Sequence, residues 1–118
     1  MDVKLFDSEL KIMEILWKDG EVTAGQLAVL LKEQTGWNRN TTYTIIKKLI
    51  DKGAVERREP NFVCRALIAR EQIQQQEADA LIGKLFDGSA ETFLAAFLNG
   101  KTLSGAEIAR LRELIDSI

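Results

Sequence analysis

The residues whose chemistry stands out lie on one predicted helix between positions 38 and 53. Asn40, Tyr43, Thr44 and Lys47 are spaced i, i+3, i+4, i+7, which places them on one helical face. Asn, Thr and Tyr side chains can bond to base edges or phosphates, and Lys neutralises phosphate. The residues that we predict to contact DNA on this helix are Arg39, Asn40, Thr41, Tyr43, Thr44, Lys47 and Lys48. The alternative is a solvated face of an ordinary packed helix, with Tyr43 packing at its edge.

The same segment carries the signals that begin and end a helix. Asn38 is suited to the N-cap, and Gly53 is suited to the position after the helix where the backbone turns left-handed. The face opposite the polar one consists of Thr42, Ile45, Ile46, Leu49 and Ile50. We therefore expect one face of this helix to pack on a core while the other stays free.

The charges of the chain are unevenly distributed around a net charge of −2. Residues 1–38 hold 4 basic and 7 acidic side chains, residues 39–70 hold 8 and 3, and residues 71–118 hold 4 and 8. The net charges of the three segments are therefore −3, +5 and −4. A local basic segment is the electrostatic footprint of polyanion binding, whereas the overall charge mainly governs solubility.

The composition argues against an enzyme and against a metal protein. The chain has no histidine, so it lacks the usual general base and the commonest metal ligand. It also has no glycine-rich phosphate loop, and its single cysteine, Cys64, has no histidine to activate it. We predict no catalytic residue, no metal and no cofactor, and we expect Cys64 to be a small core residue.

The cellular compartment follows from the same inventory. A single cysteine cannot form an internal disulfide, which favours a reducing cytoplasm. No apolar run reaches the roughly 18 residues that a membrane span needs, and no signal peptide precedes the first helix. We therefore expect a cytoplasmic protein that has no membrane partner.

Two helices are predicted before the polar one. The first covers about 8–18, with Asp7 or Ser8 as its cap, and the second covers about 24–34. Thr23 and Gln26 form the capping-box pair that opens the second helix. The link between the two helices reads as a short extended segment.

A basic hairpin is predicted after the third helix. Residues 54–58 and 61–67 have the character of short strands, and Pro60 and Asn61 are suited to the turn between them. Arg57 and Arg58 of the first strand are predicted to hold the DNA backbone. Three helices followed by a basic hairpin are the order of a winged helix-turn-helix, in which the second helix of the turn enters the major groove.

The remaining chain, from about residue 71, predicts three short helices. Ser89 opens the second of them, and Ser104 with Glu107 opens the third. Their apolar side chains exceed what three short helices can bury among themselves, so we expect a second copy of the chain to cover them. The predicted dimerisation residues are Leu81, Leu85, Phe93, Phe97, Ile108, Leu111 and Ile115. The alternative is a core formed against the N-terminal domain.

The predicted fold class is mainly α with a small β-hairpin. It combines a winged-helix DNA-binding domain at 1–70 with a helical dimerisation domain at 71–118. A twofold dimer would match a palindromic operator, because two reading helices about one DNA turn apart need that symmetry.

Two stretches carry a resemblance to a known family. They are Ile-Leu-Trp-Lys-Asp-Gly at 15–20 and Asn-Thr-Thr-Tyr-Thr-Ile-Ile-Lys-Lys-Leu-Ile-Asp-Lys-Gly at 40–53. With Phe-Asp-Gly-Ser at 86–89 and Phe-Leu-Ala-Ala-Phe at 93–97, the chain resembles the penicillinase-repressor family of the BlaI/MecI type, which has copper-responsive relatives. The resemblance implies a dimeric, DNA-binding transcriptional repressor of a bacterial operon, with double-stranded operator DNA as its partner.

The resemblance also implies a route of induction. In the antibiotic-responsive members a sensor protease cuts the tail helix, usually at an Asn-Phe bond, and the matching bond here is Ala96–Phe97. Ala96 departs from the usual Asn, which puts proteolytic induction in doubt. The copper-responsive relatives carry a cysteine metal motif in the tail, and this tail has no cysteine. The runner-up function is a winged-helix protein-interaction module that does not bind DNA.

Overall fold

The computed structural model describes residues 3–118. The chain divides into two compact units, Met1–Glu77 and Ala78–Ile118. The first contains helix α1 (Asp7–Asp19), strand β1 (Val22–Thr23), helices α2 (Ala24–Thr35) and α3 (Arg39–Asp51), and strands β2 (Val55–Arg58) and β3 (Val63–Ala66). Helix α4 (Arg70–Leu85) begins in the first unit and ends in the second, which also contains α5 (Ala90–Asn99) and α6 (Gly105–Asp116). The predicted fold class, mainly helical with a winged helix-turn-helix, is confirmed.

The core of the first unit lies between the inner faces of α1, α2 and α3. As predicted, Thr42, Ile45, Ile46 and Leu49 of α3 are buried, whereas Ile50 is only partly buried. The largest fully buried apolar side chains are Ile12, Met13, Leu16, Leu27, Leu31, Ile46, Leu49, Val55 and Cys64. Because α3 buries a continuous apolar stripe, its opposite face is fixed toward the outside.

The sheet has three antiparallel strands in the order β1-β3-β2, so the predicted two-stranded hairpin is incomplete. The segment predicted as an extended link supplies β1, in which Val22 pairs with Cys64 and Thr23 pairs with Val63. The pairing joins segments about 40 residues apart, which local patterning does not report. It places the hairpin against the start of α2, where the Ala24 N–H donates to the Phe62 carbonyl at 2.9 Å.

The start of α1 differs from the prediction. Phe6, not Asp7 or Ser8, is the N-cap, because the Glu9 carboxylate accepts the Phe6 N–H at 2.8 Å and so closes the first turn earlier. Glu9 is only 1% exposed and also accepts from Lys52 Nζ at 2.6 Å. This carboxylate of the first turn of α1 is therefore part of the core.

The predicted caps of α2 and α3 are confirmed. Thr23 and Gln26 exchange backbone-to-side-chain hydrogen bonds at 3.0 and 3.1 Å. Asn38 Oδ1 accepts the Thr41 N–H at 2.8 Å, and Gly53 follows α3 with a φ of +78°. These caps fix both ends of the helix that carries the polar face.

The second unit contains the end of α4 and the capped helices α5 and α6, but it has no buried side chain between residues 78 and 118. Ser89 caps α5, and Ser104 and Glu107 form the predicted capping box of α6. Aromatic rings pack within the unit: Phe93 lies edge-on to Phe86 at 5.3 Å and is stacked with Phe97 at 5.7 Å. The unit therefore has local order without a closed core.

Candidate nucleic-acid interface

The outward face of α3 presents the side chains that the sequence predicted. Arg39, Asn40, Thr44, Lys47 and Lys48 are exposed. The other two predicted residues, Thr41 and Tyr43, are half-buried. The buried stripe on the opposite face holds this helix against α1 and α2, so the polar face is rigidly presented.

Two hydroxyl groups on this face donate hydrogen bonds to acceptors within the protein. Thr41 Oγ1 donates to Asn38 Oδ1 at 3.0 Å, and Thr44 Oγ1 donates to the Asn40 carbonyl at 2.9 Å. A hydroxyl keeps acceptor lone pairs after donating. Both threonines can therefore accept a hydrogen bond from a base amino group but are poor donors to phosphate.

The sequence left open whether Tyr43 contacts DNA or packs at the edge of the helix, and its surroundings are compatible with both. Its hydroxyl accepts a hydrogen bond from Arg39 Nη2 at 2.7 Å, and the Arg39 guanidinium lies 4.8 Å from its ring centroid. Its ring packs edge-on against Phe62 at 5.7 Å. Tyr43 thus packs at the edge of the core and holds a cation at the start of α3.

The lysines of α3 differ from the arginines of the hairpin. Lys47 and Lys48 have no ion pair within residues 3–118. Arg57 Nε donates to Glu59 Oε1 at 2.6 Å, and Arg58 is paired with Glu21. Arg57 and Arg58 are both exposed, but each already forms an ion pair with a carboxylate of the protein.

Two carboxylates of the hairpin, Glu59 and Glu56, are paired with its arginines. The hydrogen bond from Arg57, followed by the Phe62 N–H, holds the pKa of the exposed Glu59 carboxyl below its ordinary value of 4.5. Glu56 pairs with Arg65 at 2.8 Å on the neighbouring strand. A phosphate must therefore compete with carboxylates for the hairpin arginines.

Phe62 is the residue of this surface that sequence reasoning missed. It follows Asn61, whose φ of +74° fits the predicted turn, and itself has a φ of +52°. The Arg57 guanidinium lies 3.7 Å from the Phe62 ring centroid. A bulky residue in the left-handed region is uncommon, and no sequence pattern indicates it.

Within residues 3–118, two further classes of site are absent. No helix there combines the length and the apolar composition that crossing a bilayer requires. No group of three or more His, Cys, Asp or Glu side chains in the same range could hold a metal ion. Cys64 is buried, and burial raises the pKa of its thiol to about 11.

The geometry defines a class of protein. A capped helix buries one face and presents an amide, hydroxyls and lysines on the other, beside an arginine-bearing hairpin. These are the parts of a winged-helix DNA-binding protein.

Comparison with known proteins identifies the particular family. The family model described as "Penicillinase repressor" matches residues 5–117, so the chain belongs to the penicillinase repressor family. The chain is 24% identical over 115 residues to the penicillinase repressor of Bacillus licheniformis, covering 96% of this chain and 90% of that protein. It is 26% identical over 121 residues to the methicillin resistance regulatory protein MecI of Staphylococcus aureus strain N315, covering 98% of both. The family consists of transcriptional repressors and not of enzymes.

Solved structures agree with this assignment. The solution structure of the DNA-binding domain of the repressor BlaI matches at a TM-score of 0.55 and 25% identity, covering 58% of this chain and 87% of that one. The monomeric form of Bacillus licheniformis BlaI in complex with the blaP half-operator matches at a TM-score of 0.53 and 25% identity, with the same coverage. The chain is thus a winged-helix, DNA-binding transcriptional repressor.

Proposed function

We propose that the chain represses transcription as a homodimer whose two α3 helices occupy successive major-groove half-sites of a dyad operator. The observation that carries the proposal is the division of α3 into a buried apolar face and an exposed face with Asn40, Lys47 and Lys48. The BlaI relative bound to a half-operator supports it. A bound dimer would block transcription sterically.

In this proposal the predicted contacts have separate tasks. Asn40 and Tyr43 meet bases or adjacent phosphates, whereas Thr41 and Thr44 meet bases as hydrogen-bond acceptors. The cations that hold the phosphate backbone are Arg39, Lys47, Lys48, Arg57 and Arg58. Each good base contact contributes about 1–3 kcal/mol of discrimination between sequences.

Gel shifts with an operator selected from a random duplex pool test this assignment. We expect Asn40→Ala to weaken operator binding by about tenfold and random duplex binding by less than twofold. We expect Lys47→Ala to weaken both alike and to reduce the salt slope by about one unit. Lys11→Ala, an exposed cation on α1, is the matched control and should change neither. If Asn40→Ala and Lys47→Ala lose operator and random DNA equally, the assignment is wrong.

Measuring duplex binding over a range of salt concentrations distinguishes DNA binding from the runner-up function. A winged-helix protein-interaction module would bind duplex DNA weakly at every ionic strength, because its charged face would be only solvated. A DNA-binding protein gains affinity steeply as salt is lowered.

The proposed dimer interface lies in the second unit. Among the predicted residues, Leu85, Phe97 and Ile115 are about half exposed or more, at 63%, 48% and 58%. Leu81 and Ile108 are also exposed, whereas Phe93 and Leu111 are half-buried. Apolar surface of this kind is covered in stable assemblies, and a second copy of the chain offers the same patch.

Sedimentation tests the dimer. Ile115→Asp should place a charge in the interface, shift the protein toward monomer and weaken operator binding without touching the DNA contacts. Arg112 is an exposed residue on the same helix, so Arg112→Ala is the control and should leave the dimer intact. A wild-type monomer at micromolar concentration would reject the interface.

The remaining proposed partner is a sensor protease. The bond that it would cut, Ala96–Phe97, lies inside α5, and both side chains are exposed. Because proteases bind extended segments, cleavage requires α5 to unwind locally. Ala96→Asn restores the usual family residue, and exposing both forms to a sensor protease of an antibiotic-responsive relative tests whether Ala96 prevents cutting.

A further inference from the structure

The arginines at the start of α3 and on β2 are joined by a continuous aromatic stack. The Arg39 guanidinium lies over the Tyr43 ring, Tyr43 meets Phe62 edge-on, and the Arg57 guanidinium lies over the Phe62 ring. We call these four residues the cation–aromatic stack. Its rings are partly buried against the core, whereas both guanidinium groups are exposed.

Phe62 is held in this place by its backbone as well as by its ring. Its N–H donates to Glu59 Oε2 at 3.3 Å, and its carbonyl accepts from the Ala24 N–H at 2.9 Å. Its φ of +52° is sterically unfavourable for a bulky residue. Such a conformation persists only where the surroundings over-determine it, and it is enriched at functional sites.

We propose that Phe62 is a positioning residue for DNA binding. Through Tyr43 it fixes the hairpin to the first turn of α3, so that Arg39 and Arg57 reach the DNA as a unit with a set separation. Phe62 itself touches no DNA in this proposal. The inference rests on the proposed DNA contacts and adds that the two arginines are energetically coupled.

The mechanism follows from the flexibility of arginine. A free arginine side chain loses substantial rotamer entropy when it binds a phosphate. A guanidinium that already rests on an aromatic face is restricted before DNA arrives, which lowers that cost. The edge-on contact between Tyr43 and Phe62 carries this restriction from one arginine to the other, because moving either ring displaces its neighbour.

A double-mutant cycle on the full chain tests the coupling, with an operator duplex selected by the wild-type protein. We expect Arg57→Ala to weaken binding about tenfold in the wild-type background and less than twofold beside Phe62→Leu. Phe62→Leu alone should reduce the salt slope by about one unit although it removes no charge. Phe62→Tyr keeps a ring and should bind within twofold of wild type.

The control uses an arginine outside the stack. Arg65 is exposed on β3 and is paired with Glu56, so Arg65→Ala should have the same effect in both backgrounds. If Phe62 were merely structural, Phe62→Leu would lower the melting temperature while leaving the Arg57→Ala effect unchanged. Additive losses for Arg57 and Phe62 would therefore overturn the proposal.

A second cycle guards against a Phe62 variant that does not fold. Tyr43→Phe keeps the ring and removes the hydroxyl that accepts from Arg39. It should reduce the Arg39→Ala penalty by about two- to fivefold and leave the Arg57→Ala penalty unchanged. An unchanged Arg39→Ala penalty contradicts the stack. If the wild-type protein binds no duplex, the proposed function fails first, and this inference fails with it.

Discussion

We expect the buried ion pair between Glu9 and Lys52 to contribute strongly to the free energy of unfolding of the first unit. Lys52 caps the C-terminal end of α3 and donates from Nζ to Glu9 Oε1 at 2.6 Å and to the Lys4 carbonyl at 2.8 Å. The Glu9 side chain is 2% exposed, and its second oxygen has no hydrogen-bond partner within residues 3–118. Lys52→Met removes the cation and leaves an uncompensated buried carboxylate, which is much more costly than losing a surface pair.

The magnitude follows from the exposure of the two groups. Breaking a fully buried pair costs roughly 3–5 kcal/mol, but the Lys52 side chain is 29% exposed, so we expect a loss of about 3 kcal/mol. For a domain of this size such a loss lowers the melting temperature by roughly 12–24 °C. Glu9→Gln beside Lys52→Met removes the stranded charge and should recover about half of the loss.

Urea and thermal unfolding followed by circular dichroism provide the measurement. Lys48→Met is the control, because Lys48 is exposed and has no ion pair within residues 3–118, and it should change stability by no more than about 0.5 kcal/mol. A Lys52→Met protein as stable as Lys48→Met would show that water already solvates Glu9, and the argument from burial would be refuted.

Three further predictions concern other parts of the chain. Ile46→Ala should cost about 2–5 kcal/mol in urea unfolding, because Ile46 is fully buried behind the polar face of α3. Cys64 should react with maleimide at pH 8 at least about a hundredfold more slowly than free cysteine, since burial raises its pKa to about 11; fast labelling of the folded protein would contradict this. Ser104→Ala should cost about 1 kcal/mol of α6 stability, seen as reduced protection of its amide hydrogens from exchange, because Ser104 Oγ accepts the Glu107 N–H at 3.1 Å.

Features encoded within a few residues were predictable from the sequence. The inner face of α3 follows a helical period, and the caps at Thr23, Asn38 and Ser104 depend on partners three residues away. The exposed polar face of α3 followed from the same period. Local patterning succeeds here because the interactions that decide the structure are local.

Features that join distant segments were not predictable in the same way. Strand β1 exists only because β3 pairs with it, and Glu9 became a core residue because Lys52, 43 positions later, reaches it. The left-handed conformation of Phe62 depends on hydrogen bonds from the turn and from α2. The sequence contains all the residues that make these contacts, but it does not show which of them pair with each other.

The ion pairs change which cations of the basic segment are available to bind phosphate. The basic segment 39–70 holds eight cations, but five of them pair with carboxylates, three of which lie outside the segment at Glu9, Glu14 and Glu21. Within residues 3–118, the three cations of this segment without a carboxylate partner are Arg39, Lys47 and Lys48.

All three lie on α3, so the free positive charge is concentrated on the helix proposed to enter the groove. Since each neutralised phosphate contributes about −0.9 to the slope of log K against log salt, these cations predict a slope of about −2.7 per subunit. If the hairpin arginines exchange their carboxylates for phosphates, the slope becomes about −4.5. Glu59→Gln frees Arg57 from its partner and should raise affinity by up to about fivefold. A slope near zero would mean that the polar face of α3 does not meet phosphate at all.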